Sequence, residues 1–290
     1  ETDYEPENIT DLGRHNIDNL KNQGFDVITI HPNPKIMKKL TRYDFFNHLN
    51  IVKASEFALY SSTYIIAEKF KIPLIIQGEN PGLTVGASLT GVGTDSDALK
   101  AYQLQTLSRG WQEYLQVSGV TEEDLYLLHY DVQKLLDNDT RGIWIQYYLK
   151  EWSYKGNAEF SKKYGFQERK DVDPEEIGTY VSFAQIDSDL VHTNQMLKFI
   201  KFGFGQCMDH VCYDIRDGFM DRKTGIELVL KYDGKCAQKY IDQFCNYIEI
   251  SKNEFNETLE KFRGNVWYKQ GDILRNSIQD ELKKELISYN

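Results

Sequence analysis

The sequence predicts an α/β protein whose first part is a piece of a parallel sheet and whose remainder is mainly helical. Three observations carry this. Apolar periodicity over the first stretch runs helix, strand, helix, helix, strand, the rhythm of strands joined by helical crossovers. The run Ile72-Pro73-Leu74-Ile75-Ile76-Gln77 is short and almost wholly apolar, and it breaks abruptly into Gly78-Glu79-Asn80-Pro81. From about Ser96 the pattern turns helical, with one strand-like run at Gly142-Ile143-Trp144-Ile145-Gln146-Tyr147-Tyr148.

The opening Glu1-Thr2-Asp3-Tyr4-Glu5-Pro6-Glu7-Asn8 reads as a loop leading into a helix. Thr10 or Asp11 can cap that helix, Leu12, Ile17 and Leu20 form its apolar stripe, and Gly24 ends it after Gln23. Phe25 to Ile30 is a strand. His31-Pro32-Asn33-Pro34 breaks it, and Pro34 suits the first turn of a second helix carrying Ile36, Met37 and Leu40. A longer helix from about Glu56 to Phe70 has an apolar centre at Tyr64-Ile65-Ile66-Ala67, and Ile72 to Gln77 is the next strand. Open parallel sheets usually have about four or five strands, so two predict further strands upstream of Glu1. Residues 82–95, with Gly82, Gly86, Gly91 and Gly93, read as a flexible loop closing a first domain. The expected division is therefore 1–95 and 96–290. In the second part, Thr121-Glu122-Glu123-Asp124 before Leu125 is a capped helix start, and a helix over Asn157 to Tyr164 ends at Gly165. Further helices are expected near 187–202, 206–217, 222–232, 238–247, 251–262 and 272–288.

At 290 residues and 41% hydrophobic content the chain can bury a real core. Its net charge of -10, from 44 acidic and 34 basic residues, argues against nucleic-acid binding, which needs basic surface. The 4 cysteines, Cys207, Cys212, Cys236 and Cys245, are too few and too clustered for a disulfide-stapled secreted domain, which makes a reduced cytoplasmic protein the expectation. No apolar run approaches the ~18–20 residues of a membrane span.

Chemistry is sought first at the end of the second strand. Parallel sheets bind ligands at their carboxyl edge, where Gly78 admits close approach, Glu79 can hold magnesium or a cationic group, and Asn80 can read an amide or hydroxyl. On the tripeptide alone, a tight turn with a helix cap is the simpler reading. The second candidate is Lys201-Phe202-Gly203-Phe204-Gly205-Gln206-Cys207-Met208-Asp209-His210, where two glycines lie between a lysine and a helix start whose amides suit a phosphate or carboxylate. An interhelical turn that needs glycine dihedrals is the plainer alternative. Cys207, His210 and Cys212 crowd one helical turn without the spacing of a structural zinc site. No Gly-x-Cys-x-Gly or Gly-x-Ser-x-Gly elbow is present, so any ammonia would come from elsewhere. The 19 tyrosines and 15 phenylalanines fall mostly at helical spacing and read as core, leaving Trp144 and Trp152 as the aromatic residues to test against sugars.

Taken together, these segments resemble the N-acetyl sugar amidotransferases of bacterial surface-glycan biosynthesis, a branch of the PP-loop ATP pyrophosphatase superfamily. The resemblance runs through Leu12-Gly13-x-His15-Asn16-Ile17-x-Asn19-Leu20, the Pro32-Asn33-Pro34 turn with Arg42, and Ile72-Pro73-Leu74-Ile75 leading to Gly78-Glu79-Asn80. It continues in Arg141-Gly142-Ile143, Trp152-Ser153, Asn157-Ala158-Glu159, Lys163-Tyr164-Gly165-Phe166 and Ile186-Asp187-Ser188. Its most distinctive part is Leu197-Lys198-Phe199-x-Lys201-Phe202-Gly203-Phe204-Gly205, followed by Asp209-His210, Asp214-Ile215-Arg216 and Gly218. Relatives carry a Ser-Gly-Gly-x-Asp-Ser pyrophosphate loop on the first strand and a cysteine-rich, zinc-binding amino-terminal segment. Neither is seen here, and the expectation is that both lie before Glu1. Thr90-Gly91-Val92-Gly93-Thr94-Asp95-Ser96 resembles that loop superficially but follows the last strand instead of the first.

The resemblance implies a Rossmann-like PP-loop sheet over 1–95 and a helical substrate or partner region over 96–290. It implies conversion of a sugar N-acetyl group to an acetamidino group with ATP and Mg2+. The acetamide oxygen attacks the α-phosphorus, pyrophosphate leaves, and ammonia displaces AMP from the adenylated imidate. In this reading Glu79 and Asp209 are catalytic, Gly78 and Asn80 line the nucleotide side, and Lys201, Gly203, Gly205, Arg42 and Trp152 meet the sugar. Asp209 serves in binding or in taking a proton from ammonia, or alternatively caps the helix after Gly205. The implied substrate is a nucleotide-sugar or a nonulosonate precursor, and the implied partners are a separate glutaminase and an ammonia-channelling synthase subunit. A PP-loop tRNA-modifying enzyme is disfavoured by the acidic balance, and a non-catalytic sugar-binding subunit stands as the third reading.

Overall fold

The computed structural model describes residues 1–6, 8–78, 97–99, 110–149 and 153–289. The protein is α/β, with short parallel strand pairs and mostly helical content. It divides into two compact units that interleave along the chain. The first holds Glu1–Glu7, Leu20–Tyr43 and Val52–Trp152, and the second holds Asn8–Asn19, Asp44–Ile51 and Ser153–Asn290. The strand-like run near 142 therefore groups with the amino-terminal strands, where the sequence places a break at 95/96.

Strand β1 (Thr2–Tyr4) pairs in parallel with β2 (Ile28–Ile30), and helix α1 (Asp11–Asn22) lies between them in sequence. The opening residues, read from sequence as a loop, are thus a strand. The helix ends near Gly24, whose φ of 96° only glycine adopts readily. Helix α2 (Pro34–His48) begins at the expected proline. The long α3 (Lys53–Phe70) packs against both β1 and the next strand, β3 (Leu74–Gln77). Helix α4 (Val132–Asp137) leads to β4 (Arg141–Trp144), which pairs in parallel with β3 from Leu74↔Arg141 to Gln77↔Trp144. Among the described residues these are two separate parallel pairs, and a full PP-loop sheet is not formed by them. The strand expected over 142–148 stops at Trp144, because Ile145–Tyr147 turns into a 3-10 helix.

The core of the first unit gathers Leu40, Phe57, Tyr64, Tyr114, Leu125, Leu128, Leu135 and Trp144. Tyr64 stacks on Tyr130 with ring centroids 4.2 Å apart. Within this core Lys53 and Glu113 form an ion pair that water barely reaches, with the lysine nitrogen 5.7 Å from the Tyr114 ring centroid. Trp144 is fully buried and donates its indole N–H to the Asp97 carbonyl at 3.1 Å. It is a core residue and not a sugar platform, since no face of it reaches solvent.

The second unit is built from α5 (Tyr154–Lys162), the short α6 (Pro174–Ile177), α7 (Leu190–Phe202), α8 (Gln206–Arg216), α9 (Arg222–Tyr232), α10 (Gln238–Ile248), α11 (Lys252–Phe262) and α12 (Ser277–Ser288). Side-chain caps start several of these helices. Ser153, Asp173, Asp221 and Ser251 each accept an amide hydrogen from the following turn, and Ser251 with Glu254 completes a capping box. The helix expected over 272–288 begins only at Ser277. Residues before it form an antiparallel hairpin, β5 (Trp267–Gln270) and β6 (Ile273–Asn276), turning through Gly271 at φ 61° and Asp272. Gly-Asp between two alternating runs is itself a hairpin signal, so the local chemistry overrode the helical pattern.

Three stretches of the sequence resemblance meet inside this unit. The Asn16 side chain donates to the Gln167 carbonyl at 2.9 Å and accepts from the Gln167 amide at 2.8 Å, while Asn19 donates to the Tyr164 carbonyl at 2.8 Å. Thr10 donates its hydroxyl to Ile186 O at 2.5 Å, and its amide donates to Asp187 O at 2.9 Å. A side chain at Gly13 would lie 2.6 Å from the Asp187 Cα, and one at Gly165 would lie 2.5 Å from Asn19 Oδ1. These residues fit together by packing.

Candidate functional site

The end of α7 and the start of α8 carry the Lys-Phe-Gly-Phe-Gly stretch. Gly203 terminates α7 in the left-handed region at φ 83°, and a Cβ there would lie 2.5 Å from Val266 Cγ2. Its carbonyl accepts from Asn276 Nδ2 at 2.8 Å. Gly205 precedes α8 and donates its amide to Asp233 Oδ2 at 2.8 Å, and Cys207 N donates to Asp233 Oδ1 at 3.0 Å. Met208 N adds a longer contact of 3.4 Å to that same oxygen. The first-turn amides of α8 therefore close on an aspartate supplied from the end of α9. They do not fit the phosphates of ATP, because a carboxylate of the chain already takes their hydrogens. It is Asp233, not Asp209, that caps this helix.

Asp209 lies one turn further on, with its side chain one-third exposed. Lys198 of α7 pairs with its Oδ2, and the lysine nitrogen also lies 4.9 Å from the Phe204 ring centroid. Burial pushes the Asp209 carboxyl above the ordinary aspartate range, and the Lys198 charge pulls it back. Behind Asp209 is a buried polar chain. His210 Nδ1 is 2.7 Å from Thr179 Oγ1 and its Nε2 is 3.3 Å from the Tyr154 hydroxyl, with the Tyr154 ring stacked at 5.2 Å. Burial, assisted by Lys198, lowers the His210 pKa to about 3, so the imidazole is neutral at physiological pH. Next to it, Tyr180 donates to Asp214 Oδ2 at 2.8 Å. Burial holds the Tyr154 and Tyr180 phenols well above the usual tyrosine range, and Asp214 reinforces this. The Tyr213 phenol is pushed up to about 12, first by burial and then by Asp209.

This arrangement orients a neutral imidazole and several neutral phenols behind one accessible carboxylate. It suits hydrogen bonding to a polyhydroxyl ligand better than nucleophilic attack. Cys207 is buried and inert as a thiolate, since burial and Asp233 both raise its pKa. His210 and Cys212 point to different surroundings, the imidazole into the Thr179–Tyr154 chain and Cys212 to the exterior, so the Cys207, His210 and Cys212 set does not converge on a metal.

Of the residues singled out in the sequence, Lys201, Gly203, Gly205 and Asp209 lie together in the second unit. Lys201 is half-buried and donates to the His48 carbonyl at 2.7 Å, and burial lowers its pKa. Arg42, half-buried on α2, and Gly78, at the end of β3 with open space where a Cβ would stand, belong to the first unit. Glu79, Asn80, Trp152 and the 82–95 loop lie outside the described residues. Sequence reasoning held Lys198 only as part of the resemblance and missed its pairing with Asp209, and it missed Asp233, Thr179 and Tyr154. Asp233-Gly234 signals a turn after α9, but nothing local shows that its carboxylate returns to α8.

No helix among the described residues is long and apolar enough to cross a membrane. No curated protein matches the chain. Residues 159–280, which include α7, α8, Lys198, Asp209, Asp233 and the hairpin, match the family described as LPS biosynthesis protein WbpG-like, C-terminal domain.

Proposed function

We propose that this protein acts in surface-polysaccharide biosynthesis, where it takes part in ATP-dependent amidation of a sugar N-acetyl group. The observation that carries the reading is the match of residues 159–280 to the WbpG-like C-terminal domain. The resemblance noted in the sequence extends it to the amidation step. ATP with Mg2+ would activate the acetamide oxygen for departure, and ammonia from a separate glutaminase would replace it. The chain's own contribution in the second unit is orientation: Asp209 presents a carboxylate to the sugar or to incoming ammonia, Lys198 fixes that carboxylate, and the His210–Thr179–Tyr154 chain holds helix α8 in place.

The test is release of AMP and pyrophosphate by the protein with ammonia and a panel of acetamido sugars. Glu79→Gln and Asp209→Asn should each lower turnover without moving the melting temperature. Unchanged turnover in both would remove these two assignments, and no AMP with any acetamido sugar would remove the amidation. A second reading, sugar binding without catalysis, is favoured by one observation: the α8 amides are closed by Asp233, so this segment offers a ligand side-chain groups and not a phosphate cradle.

A further inference from the structure

The start of α7 holds an imidazole for which the described residues supply no partner. His192 is completely buried, and neither its Nδ1 nor its Nε2 makes a hydrogen bond. A neutral imidazole carries one N–H donor and one acceptor nitrogen, so both leave water on folding without a replacement bond. The Asp189 carboxylate, one turn earlier, stops 4.0 Å from Nε2, too far for a hydrogen bond, and it does not cap α7 either. The turn before it is strained at Gln185, whose φ of 50° lies in the left-handed region that favours glycine. Arg169 holds this turn, donating from Nη1 to Ala184 O at 2.6 Å and from Nη2 to Gln185 O at 2.5 Å.

The groups that act on His192 come from three elements. Asp189 starts its own helix, Arg169 lies between α5 and α6, and Lys239 and Tyr240 lie on α10, with the Tyr240 ring centroid 4.8 Å from the imidazole. Cys236, 4.0 Å from the neighbouring Thr193 hydroxyl, is pushed up to about 11 by burial and stays uncharged. Burial first, then the Arg169 and Lys239 charges, lower the His192 pKa from 6.5 to about 3. The folded arrangement thus holds this histidine neutral. Its contribution to stability is fully present above pH 6.5 and is lost as pH falls from there toward 3.

We infer that the start of α7 is a proton-operated latch, closed while His192 is neutral, and that when the imidazole takes a proton from solvent the 184–189 turn shifts and Asp189 closes on Nε2. The 4.0 Å gap needs a movement of only about 1 Å to become a charge-assisted hydrogen bond. Moving the turn also displaces the two carbonyls that hold Arg169, and with them the cation that opposes a charge on the ring. The strain at Gln185 makes this turn a low-cost place to move. The same helix carries Lys198, so the latch lies at the far end of the element that supplies the partner of Asp209.

Hydrogen exchange of the whole chain, read on peptides by mass spectrometry, tests it. An imidazole whose pKa returns from about 3 to 6.5 in the open arrangement favours that arrangement about thirtyfold more at pH 5.0 than at pH 7.5. After correction for the intrinsic pH dependence of exchange, amides of 184–193 should lose protection by about that factor while those of α11 keep theirs. His192→Gln and His192→Leu should each abolish the loss, and Asp189→Asn should shift it to lower pH. Protection in 184–193 that is unchanged between pH 7.5 and 5.0 overturns the latch. So does an equal loss in α11, which is unfolding of the whole unit, or a loss that survives His192→Gln in a variant whose circular dichroism matches the parent. The parent chain alone decides the first two outcomes, whether or not a variant folds.

Discussion

Replacing Asp233 should separate two opposed effects of one buried carboxylate. It is only 5% exposed and accepts two well-formed amide hydrogen bonds, at 2.8 and 3.0 Å, from the turn that starts α8. In Asp233→Ala both amides lose their acceptor in a place water hardly reaches. Each orphaned donor costs about 1–3 kcal/mol, so at pH 4.5, where the carboxyl is mostly protonated and little buried charge is relieved, the loss is about 2–6 kcal/mol. Asp233→Asn keeps an oxygen acceptor and should cost less. The charge itself has the opposite sign. Burial raises the Asp233 pKa from 3.8 to about 6 despite the amides that favour the anion. The folded state therefore binds the proton more tightly than the unfolded chain, and this group's contribution is most favourable below pH 4 and declines as pH rises to about 6. A shift of about two units corresponds to about 3 kcal/mol. Urea unfolding followed by circular dichroism from pH 4.5 to 7.5 should show the parent losing stability relative to Asp233→Asn as pH rises, with the difference levelling off above pH 6.5. Parallel curves for parent and Asn variant would refute the raised pKa of Asp233, and an Ala variant within about 0.5 kcal/mol of the parent at pH 4.5 would refute its assignment as the cap of α8.

Other perturbations follow from the same geometry. Lys53→Met should destabilise the protein by about 3–5 kcal/mol by leaving Glu113 charged and buried, and Lys53→Met with Glu113→Leu should recover most of that loss in denaturant titrations. Gly203→Ala should cost about 2–3 kcal/mol, because it strains a φ of 83° and drives a methyl into Val266, and thermal melts would register the loss.

Much of the helical content was legible because apolar spacing and caps agree. Pro34 starts α2, Gly203 stops α7 and Ser251 starts α11 where local chemistry places them. The strands were harder. Thr2-Asp3-Tyr4 is too short and too polar to announce a strand, and it becomes one only by pairing with Ile28–Ile30. The hairpin at 267–276 was marked by Gly271-Asp272, yet the helical signal of the following residues concealed it. At the candidate site the sequence identified the right stretch but not its wiring. Asp209 was visible, whereas its pairing with Lys198 and the closure of the Gly205 and Cys207 amides on Asp233 are tertiary contacts that no local spacing encodes.

The interleaving of the two units has a consequence for biosynthesis of the chain itself. Phe45, fully buried, stacks on Phe255 at 5.4 Å and meets Phe244 edge-on at 5.1 Å. It leaves the ribosome about 200 residues before either partner. At ~5–20 residues per second, that is a wait of roughly 10–40 s. During this interval Phe45 is an apolar side chain without this part of its native cover, so the growing chain passes through a period in which a chaperone or early collapse must shield a segment whose partners are not yet made.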